Sequence, residues 1–294
     1  MVIATLGRPE PLRSAVRSLA AATRPPVELI VVDGSATATA TEVVAELSPT
    51  APFPIVLVAS PPGLTRQRNA GLRRVTGDVV VFLDDDARVD EDAFAVIARA
   101  YADPEVIGAT GRVVEPSSHR VGGQRSQLRR LLAAGQREGT FTSYGYPRRI
   151  VDGRSPIDVA FMPGCFMSAR TSCALEVGFD EGLPGYALAE DEDFSYRVSR
   201  LGRIRYLPDA VVHHDNSGFG QRDRRSFGRA VVVNRYYLFR KNFSQTLSAR
   251  AGFAFLLLLL VGHRLVNFDW RGLLGLLDGV VALRRGETPA SLVP

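Results

Sequence analysis

The strongest constraint on the fold of this chain is a pattern repeated through the first third of its 294 residues. Short apolar runs rich in β-branched residues alternate with segments whose apolar residues recur at helical spacing. Such runs are typical of buried strands, and the segments between them are typical of amphipathic helices. Strands that alternate with helices form a mostly parallel sheet covered on both faces. We therefore predict an α/β fold whose first strands are Met1–Thr5, Val27–Val32, Ile55–Ala59 and Val79–Leu83.

The remainder of the chain is less regular. Residues 116–156 are rich in Arg, Gly and Ser, and we predict one helix there, near Gln127–Ala134, with loops around it. A helix carrying Phe194 and Val198 is predicted next, and apolar helices are predicted near the C-terminus. We expect an α/β domain at 1–220 and a basic, apolar helical region at 221–294. The later predicted strands and apolar segments are Val159–Ala169, Ile204–Leu207, Ala210–Val212, Ala251–Val266 and Trp270–Leu283.

Composition excludes several classes of protein. A hydrophobic share of 46% and a charged share of 23% are those of a folded chain, and Cys165 and Cys173 are too few for a disulfide-stapled scaffold. The start, MVIATLGRPE, lacks the features of a signal peptide, so we expect a cytoplasmic domain. Residues 221–294 hold 12 of the 36 basic residues but only 4 of the 31 acidic ones. The excess of positive charge therefore lies in residues 221–294, which we call the tail.

The first acidic cluster, Asp84-Asp85-Asp86, directly follows the most apolar predicted strand. Ligands of open α/β sheets bind beyond the carboxyl ends of the strands, where this cluster and Asp33 are placed. Alternation puts Asp84 and Asp86 on one side, so the pair can address one Mg²⁺ or Mn²⁺ ion. The alternative is a solvated acidic turn that caps the next helix.

The second acidic cluster is Glu190-Asp191-Glu192-Asp193, at the predicted start of the helix that carries Phe194. One of these carboxylates is a candidate general base, because deprotonating an alcohol requires a positioned proton acceptor. Carboxylates at a helix N-terminus are also favourable for electrostatic reasons alone, and that alternative stays open. His213-His214 follows the last predicted strand, where a neutral imidazole can complete a metal site.

Six blocks of sequence together resemble a known family: VIATLGRP, IVVDGS, GLTRQRNAGL, GDVVVFLDDDA, EDEDFSYRVSRLG and PDAVVHH. In this order and spacing they resemble the family 2 glycosyltransferases, and bacterial rhamnosyltransferase-like members in particular. The resemblance covers roughly residues 1–245. It implies the GT-A fold, a Rossmann-like, mostly parallel mixed sheet flanked by helices, with the apolar C-terminal helices added to it. Residues 1–220 would then form the nucleotide-sugar-binding and catalytic domain.

The same resemblance implies roles for individual residues. Asp191 matches the catalytic base and Glu190 its neighbour, and Asp86 matches the metal ligand. His214 fits the later metal-binding histidine better than His213 does. Arg66 has the alternative of being a helix-surface arginine. Nucleotide-binding positions are matched by Thr5, Arg8, Asp33, Arg66, Asn69 and Asp84, and the sugar or acceptor pocket by Gly164 and Cys165.

The implied reaction is a single displacement that inverts the anomeric carbon of a nucleotide-sugar. Mn²⁺ or Mg²⁺ would stabilise the diphosphate leaving group, and Asp33 favours a UDP- or dTDP-sugar as donor. We expect a role in bacterial surface glycan synthesis on a lipid-linked or glycan acceptor. The alternatives are a sugar-nucleotide nucleotidyltransferase, which would need a glycine-rich phosphate loop after the first strand, and an inactive family member that serves as a membrane-bound binding subunit.

The tail suggests a location. Processive membrane synthases of this family carry Q-x-x-R-W, whereas this chain has arginine at the tryptophan position of Gln221–Arg225. Ala251–Val266 is too short to span a bilayer, so we expect peripheral contact with the inner face of the cell membrane, with homodimer formation as the alternative use of these helices. The basic RYYLFRK segment, from Arg235 to Lys241, is predicted to meet a lipid diphosphate. No nucleic-acid-binding motif accompanies it, so we expect no nucleic-acid partner.

Overall fold

The computed structural model of the protein describes residues 1–116, 137–150, 153–215 and 223–292. The helix predicted near Gln127–Ala134 and the residues Gln221 and Arg222 lie outside these ranges. The strands within them are β1 (Val2–Thr5), β2 (Leu29–Asp33), β3 (Ile55–Ala59), β4 (Val79–Asp84), β5 (Ala87–Val89), β6 (Val106–Val114), β7 (Ile157–Val159), β8 (Phe166–Arg170) and β9 (Arg203–His214).

All of these strands belong to one mixed sheet with the order β3-β2-β1-β4-β8-β6-β9-β5, and β7 also pairs with β9. The first four strands in this order are parallel, as the alternation of strands and helices predicts. Beyond β4, strand β8 runs antiparallel to both β4 and β6, while β6 and β9 are parallel. The predicted α/β fold is confirmed, and the carboxyl ends of β1, β2 and β4 meet at one edge of the sheet.

Helices cover both faces of this sheet. Helices α1 (Pro9–Ala20), α2 (Ala40–Leu47) and α4 (Ala93–Ala100) pack on one face, and α3 (Leu64–Leu72), α5 (Thr171–Val177) and α6 (Glu190–Ser199) pack on the other. The strands divide between the faces by simple alternation, so that Phe82 points to the second core and Leu83 to the first. Pro9 sits in the first turn of α1, where its missing N–H costs nothing.

Two sequence-based boundaries differ in the structure. The strand predicted over Val159–Ala169 is interrupted, because Pro163 and Gly164 form a turn between β7 and β8. The two strands predicted near the end of the α/β domain are one continuous strand, β9, whose register against β6 shifts between Gly111 and Arg112. At Gly111 a Cβ would lie 1.9 Å from the Ala210 carbonyl oxygen, so only glycine allows this close approach.

The tail folds as three helices: α7 (Arg224–Asn242), α8 (Leu247–Val266) and α9 (Trp270–Arg284). Helix α8 begins four residues before the predicted apolar segment, at the cap formed by Thr246, and reaches 20 residues. Among the described residues it is the one helix that by length and composition alone could cross a membrane, so the length argument made from the sequence is wrong. Only 17% of its most apolar stretch is buried.

Candidate active site

A cluster of three metal-ligating groups forms where β4 ends and β9 returns beside β5. Asp84, Asp86 and His214 each offer one ligand atom, and these atoms lie within 4.8 Å of one another. The His214 Nε2 atom is 3.2 Å from Asp86 Oδ1 and 3.7 Å from Asp84 Oδ2. Antiparallel pairing of His214 with Ala87 brings the imidazole back to the acidic turn. The structure thus brings together three residues that are 130 positions apart at most.

Each carboxylate of this trio uses its other oxygen for an arginine. Arg8 donates to Asp86 Oδ2 at 2.7 Å, and Arg68 donates to Asp84 Oδ1 at 2.8 Å. These ion pairs turn Asp84 Oδ2 and Asp86 Oδ1 toward His214. Two oxygens and one imidazole nitrogen are a donor set that suits Mn²⁺, whereas Mg²⁺ prefers oxygen ligands throughout.

The groups of the trio shift one another's pKa values. Burial opposes protonation of His214, but the neighbouring Cys165 thiol and the Asp86 and Asp84 carboxylates outweigh it and raise the pKa of the imidazole to about 11. Burial also opposes ionisation of Asp86, yet His214 and Arg8 hold the pKa of this carboxyl far below its usual range. Burial raises the pKa of Asp84, so in the absence of a metal ion the protonated imidazole mainly compensates the Asp86 carboxylate.

The middle residue of the acidic turn, Asp85, faces the other way. It is buried and accepts hydrogen bonds from Thr5 Oγ1 at 2.7 Å and from Arg8 at 2.9 Å. Burial is the largest cause that raises its pKa, to about 7, and Arg8 and Thr5 counteract it only in part. Thr5 and Arg8, predicted to bind the nucleotide, therefore lie at the acidic turn and hold its shape.

Arg68 connects this turn to the start of α6, and sequence reasoning missed it. Its guanidinium is fully buried and donates to Asp84, to the Gly164 carbonyl oxygen and to Glu190 Oε1, each at 2.8 Å. One planar fork thus joins strand β4, the β7–β8 turn and helix α6. A signal was available in the sequence, since Arg68 is spaced four residues from both Leu64 and Leu72 on the buried side of a helix.

The candidate base lies at the N-terminus of α6. Asp191 is half-buried, and its Oδ2 accepts a hydrogen bond from the Gly164 backbone N–H at 3.1 Å. A Cβ at Gly164 would lie 3.1 Å from Glu190 Oε1 and 3.2 Å from Asp191 Cβ, so a larger residue there would have to displace these side chains by a few tenths of an ångström. Burial, together with the charge of Asp191, raises the pKa of Glu190 to about 8. Ala189, before the helix, has a φ of 72°, a conformation that alanine rarely adopts.

The other two acids of α6 are held by the tail. Glu192 accepts hydrogen bonds from both terminal guanidinium nitrogens of Arg235, at 2.9 and 3.0 Å. Asp193 forms ion pairs with Arg197 and Lys241. Arg235 and Lys241 are therefore engaged inside the protein. This corrects the expectation that the RYYLFRK segment presents these charges to a lipid diphosphate.

Three predicted residues take other places. Asp33 builds the turn after β2, with Oδ1 accepting from Ser35 N and Oδ2 from Ala40 N. Asn69 ties α3 to Phe179, while Arg66 is exposed, with its nearest carboxylate, on Glu181, at 3.9 Å. Neither contact lies in the acidic cluster, so their nucleotide-binding roles remain predictions.

The remaining predicted residues flank the trio. The His213 Nε2 atom lies 2.9 Å from Asp90 on the exposed side of β9, which favours His214 as the metal-binding histidine. Cys165 is buried beside His214, and burial raises the pKa of its thiol. The sequence offered no sign of this imidazole neighbour.

Comparison with known proteins identifies the family. The model of glycosyl transferase family 2 matches residues 1–175. The chain belongs to this family. The pre-mycofactocin glycosyltransferase of Mycobacterium tuberculosis is 29% identical over 157 residues, which are 52% of this chain and 30% of that protein. The aligned region thus spans less than a third of the curated relative.

Solved structures share the fold at low identity. The mannosyltransferase PcManGT from Pyrobaculum calidifontis, in complex with GDP-Man and Mn²⁺, superposes with a TM-score of 0.60 at 17% sequence identity. The superposition covers 99% of this chain and 76% of the PcManGT chain. GalNAc-T7 with UDP, GalNAc and Mn²⁺ has a TM-score of 0.57 at 18% identity, over 79% of this chain and 47% of its own. S. aureus TarS 1–349 with UDP-GlcNAc has a TM-score of 0.55 at 14% identity, over 97% and 91%. The predicted GT-A fold is confirmed.

Proposed function

We propose that this family 2 member is a metal-dependent glycosyltransferase that moves a sugar from a nucleotide-sugar to a hydroxyl acceptor with inversion of the anomeric carbon. The observation that carries the proposal is the connection between two sites. The trio Asp84, Asp86 and His214 lies one arginine away from the helix end that holds Asp191. A leaving-group site and a base on one rigid frame are what a single displacement requires.

The residues present fit a divalent metal ion. Asp84 Oδ2, Asp86 Oδ1 and His214 Nε2 would hold it, and the mixed donor set favours Mn²⁺ over Mg²⁺. When bound, such an ion neutralises charge that develops on a diphosphate leaving group. The Mn²⁺ ions present with nucleotides or nucleotide-sugars in PcManGT and GalNAc-T7 support this proposal.

The side chains of the protein itself supply the base and hold the site in place. Asp191 accepts the proton from the acceptor hydroxyl, and the hydrogen bond from Gly164 N fixes the direction of this carboxylate. Arg68 keeps Asp84 and Glu190 in register, and Arg8 does the same for Asp85 and Asp86. No covalent intermediate is needed, since one displacement at the anomeric carbon inverts it.

The proposal extends to the chemical class of the donor and of the acceptor. Both Asp33 oxygens accept backbone N–H groups, yet each keeps a lone pair that can accept from the imide of uracil or thymine. We therefore retain a UDP- or dTDP-sugar as donor. A lipid-linked acceptor in bacterial surface glycan synthesis, at the inner face of the cell membrane, is consistent with the exposed apolar helix α8.

The family match favours sugar transfer over nucleotidyl transfer, and the presence of Asp84, Asp86, His214 and Asp191 together argues against an inactive binding subunit.

The deciding experiment measures turnover of UDP- and dTDP-sugars with Mn²⁺, with and without EDTA. We expect chelation to abolish turnover and Asp191→Asn to slow it by about 10²- to 10⁴-fold, while donor-induced thermal stabilisation is retained. Asp90→Asn is the control, because Asp90 pairs with His213 outside the trio. NMR of the first-formed product reads the anomeric configuration. Full activity of Asp191→Asn would reject the base, and retention of configuration would reject the single displacement.

A further inference from the structure

Helix α8 exposes an unbroken apolar stripe along its whole length. Its members recur at spacings of three or four residues and therefore lie on one side of the helix. Phe255 is 52% exposed and Leu258 is 69% exposed, and a Cβ at Gly262 would meet nothing within 4 Å. At 1.5 Å per residue, the stripe is roughly 30 Å long. It consists of Leu247, Ala251, Phe255, Leu258, Gly262 and Leu265.

A second stripe runs along α9 and joins the first at the turn between the helices. Trp270, Leu274, Leu277 and Val281 are each exposed and are again spaced by three or four residues. Phe268, in the turn, is 77% exposed. We call the two stripes and this turn the apolar ridge. Ten of the 17 exposed large hydrophobic side chains of the described residues fall between Leu247 and Val281, so this patch has no counterpart elsewhere.

The opposite sides of both helices are fixed to the protein. Phe253 stacks on Phe239 with ring centroids 5.0 Å apart, and a Cβ on Gly252 would lie 2.4 Å from the Tyr144 ring. On α9, a Cβ on Gly275 would lie 2.1 Å from the Arg225 carbonyl oxygen of α7. The first half of α8 and the middle of α9 are therefore packed against the body, which favours a helix that lies along a surface over one that leaves the protein to cross a bilayer.

The charge around the ridge identifies the partner. Most tail arginines form ion pairs, with Arg225 bonded to Asp278 and Arg271 to Asp223. Arg240 and Arg250, in contrast, line a shallow pocket with Tyr236, Phe239, Gln245 and Phe253, and the described lining contains no carboxylate. Arg284 and Arg285 end α9. Within the described residues none of these four arginines has an ion pair, and all lie at the end of the hairpin away from its turn. We call them the basic root.

We propose that the apolar ridge and the basic root dock this protein on an anionic lipid bilayer, with α8 and α9 lying in the plane of the headgroups. Apolar side chains on one face, with arginines free to meet lipid phosphates, are the combination that interfacial helices use. A second copy of the chain would have to place like-charged arginines opposite each other or leave them outside the contact. The proposal deepens the function above, since it places the acceptor in the membrane, but it rests on the tail alone.

The experiment is flotation of the purified chain with vesicles of phosphatidylcholine, with and without phosphatidylglycerol. We expect binding that requires phosphatidylglycerol and weakens with salt. The double variant Phe255→Glu/Leu258→Glu should bind about 100-fold more weakly or not at all, because both exposed apolar side chains are lost to charge. Arg240→Ser/Arg250→Ser should lose about tenfold, with a weaker dependence on phosphatidylglycerol, because two of the four arginines of the basic root remain.

The matched control is Leu175→Glu, which changes an exposed leucine (51%) on α5, outside the ridge. It should float like the unmodified chain, and circular dichroism melting confirms that each variant is folded. Flotation of the Phe255→Glu/Leu258→Glu variant at full strength would overturn the proposal. A chain that does not float, and whose ridge variant converts a dimer to a monomer in sedimentation, would assign the ridge to a second copy instead. Flotation uses no sugar donor, so failure of the proposed catalytic function would be seen separately, in nucleotide release.

Discussion

At the scale of single residues, Arg68 decides the geometry of the candidate site. Its guanidinium is buried with Asp84 and Glu190, and Asp84 ends β4 whereas Glu190 begins α6. Its charge also compensates two carboxylates that would otherwise lie unpaired in a medium of low polarity. A buried carboxylate that loses its partner is strongly destabilising, because its charge is then neither hydrated by water nor compensated by an opposite charge.

We predict that Arg68→Met lowers the free energy of unfolding by about 3–5 kcal/mol. Arg68→Lys should cost less but still reduce turnover, because a single ammonium cannot reproduce the planar fork that reaches Asp84, Gly164 and Glu190. Arg66→Met, two residues away on the exposed side of α3, is the control and should stay within about 0.5 kcal/mol of the parent. Urea denaturation measures all three. Equal stability of the two methionine variants would contradict the role given to Arg68.

The candidate site could be predicted from sequence where acidic residues or histidines stand at the ends of strands, or at the start of a helix that matches a family motif. Asp84 and Asp86 are found because β4 stops abruptly after an apolar run, and His214 because it follows the last strand. Arg68 was missed because a charged residue in a polar helix is ordinarily expected at the surface, although its spacing from Leu64 and Leu72 places it on the buried side of α3. Asp33 binds backbone N–H groups of its own turn, and Asn69 binds the distant backbone of Phe179, neither of which a motif match reveals.

At the scale of elements, the tail helices are fixed by glycine. Gly228 on α7 faces Gly272 and Gly275 on α9, and a Cβ on Gly228 would lie 2.6 Å from the Gly272 carbonyl oxygen. The backbones of the two helices therefore touch, and no side chain separates them. The sequence predicts α9 from the helical spacing of its apolar residues, but its glycines indicate only weak helix formers. Their role becomes visible only when the partner helix is in place.

We predict that Gly275→Ala lowers the free energy of unfolding by about 1–3 kcal/mol, because the new methyl group would lie 2.1 Å from the Arg225 carbonyl oxygen and must push the helices apart. Gly262→Ala on α8 is the matched control. Its methyl group meets open space, so relief of backbone entropy should raise stability by about 0.4–1 kcal/mol. Thermal melting of the two variants compares them directly. A stabilising Gly275→Ala would refute the close packing of α7 on α9.

At the scale of the whole molecule, the tail and the α/β domain share their charges. The sequence places the basic excess in residues 221–294, whereas the structure places Arg235 and Lys241 of α7 against Glu192 and Asp193 of α6. Part of the basic excess is thus internal. The parallel half of the sheet could be predicted from alternating strands and helices, since each crossover is local. The pairing of β5 with β9 could not, because it joins residues more than a hundred positions apart.

The acidic surplus that remains at the site makes the whole molecule sensitive to pH when metal is absent. Burial raises the pKa of Asp85 from 3.8 to about 7, and that of Glu190 from 4.5 to about 8. Between the ordinary pKa of each carboxyl group and its raised pKa, the native state binds a proton that the unfolded chain has released. The free energy of unfolding must therefore fall as pH rises through this window.

We predict that the metal-free protein melts at a lower temperature at about pH 8 than at about pH 5, with Asp85 contributing on the order of 2–4 kcal/mol to the difference. Asp85→Asn should flatten this slope, because the amide has no proton to lose, while its oxygen still accepts from Arg8. Adding Mn²⁺ should stabilise the protein more at the higher pH, where His214 gives up its proton to a metal ion more readily. Melting curves from pH 5 to 8, with and without Mn²⁺, test both parts. A stability that rises with pH in the metal-free protein, or an unchanged slope in Asp85→Asn, would show that the acidic turn is ionised throughout this range.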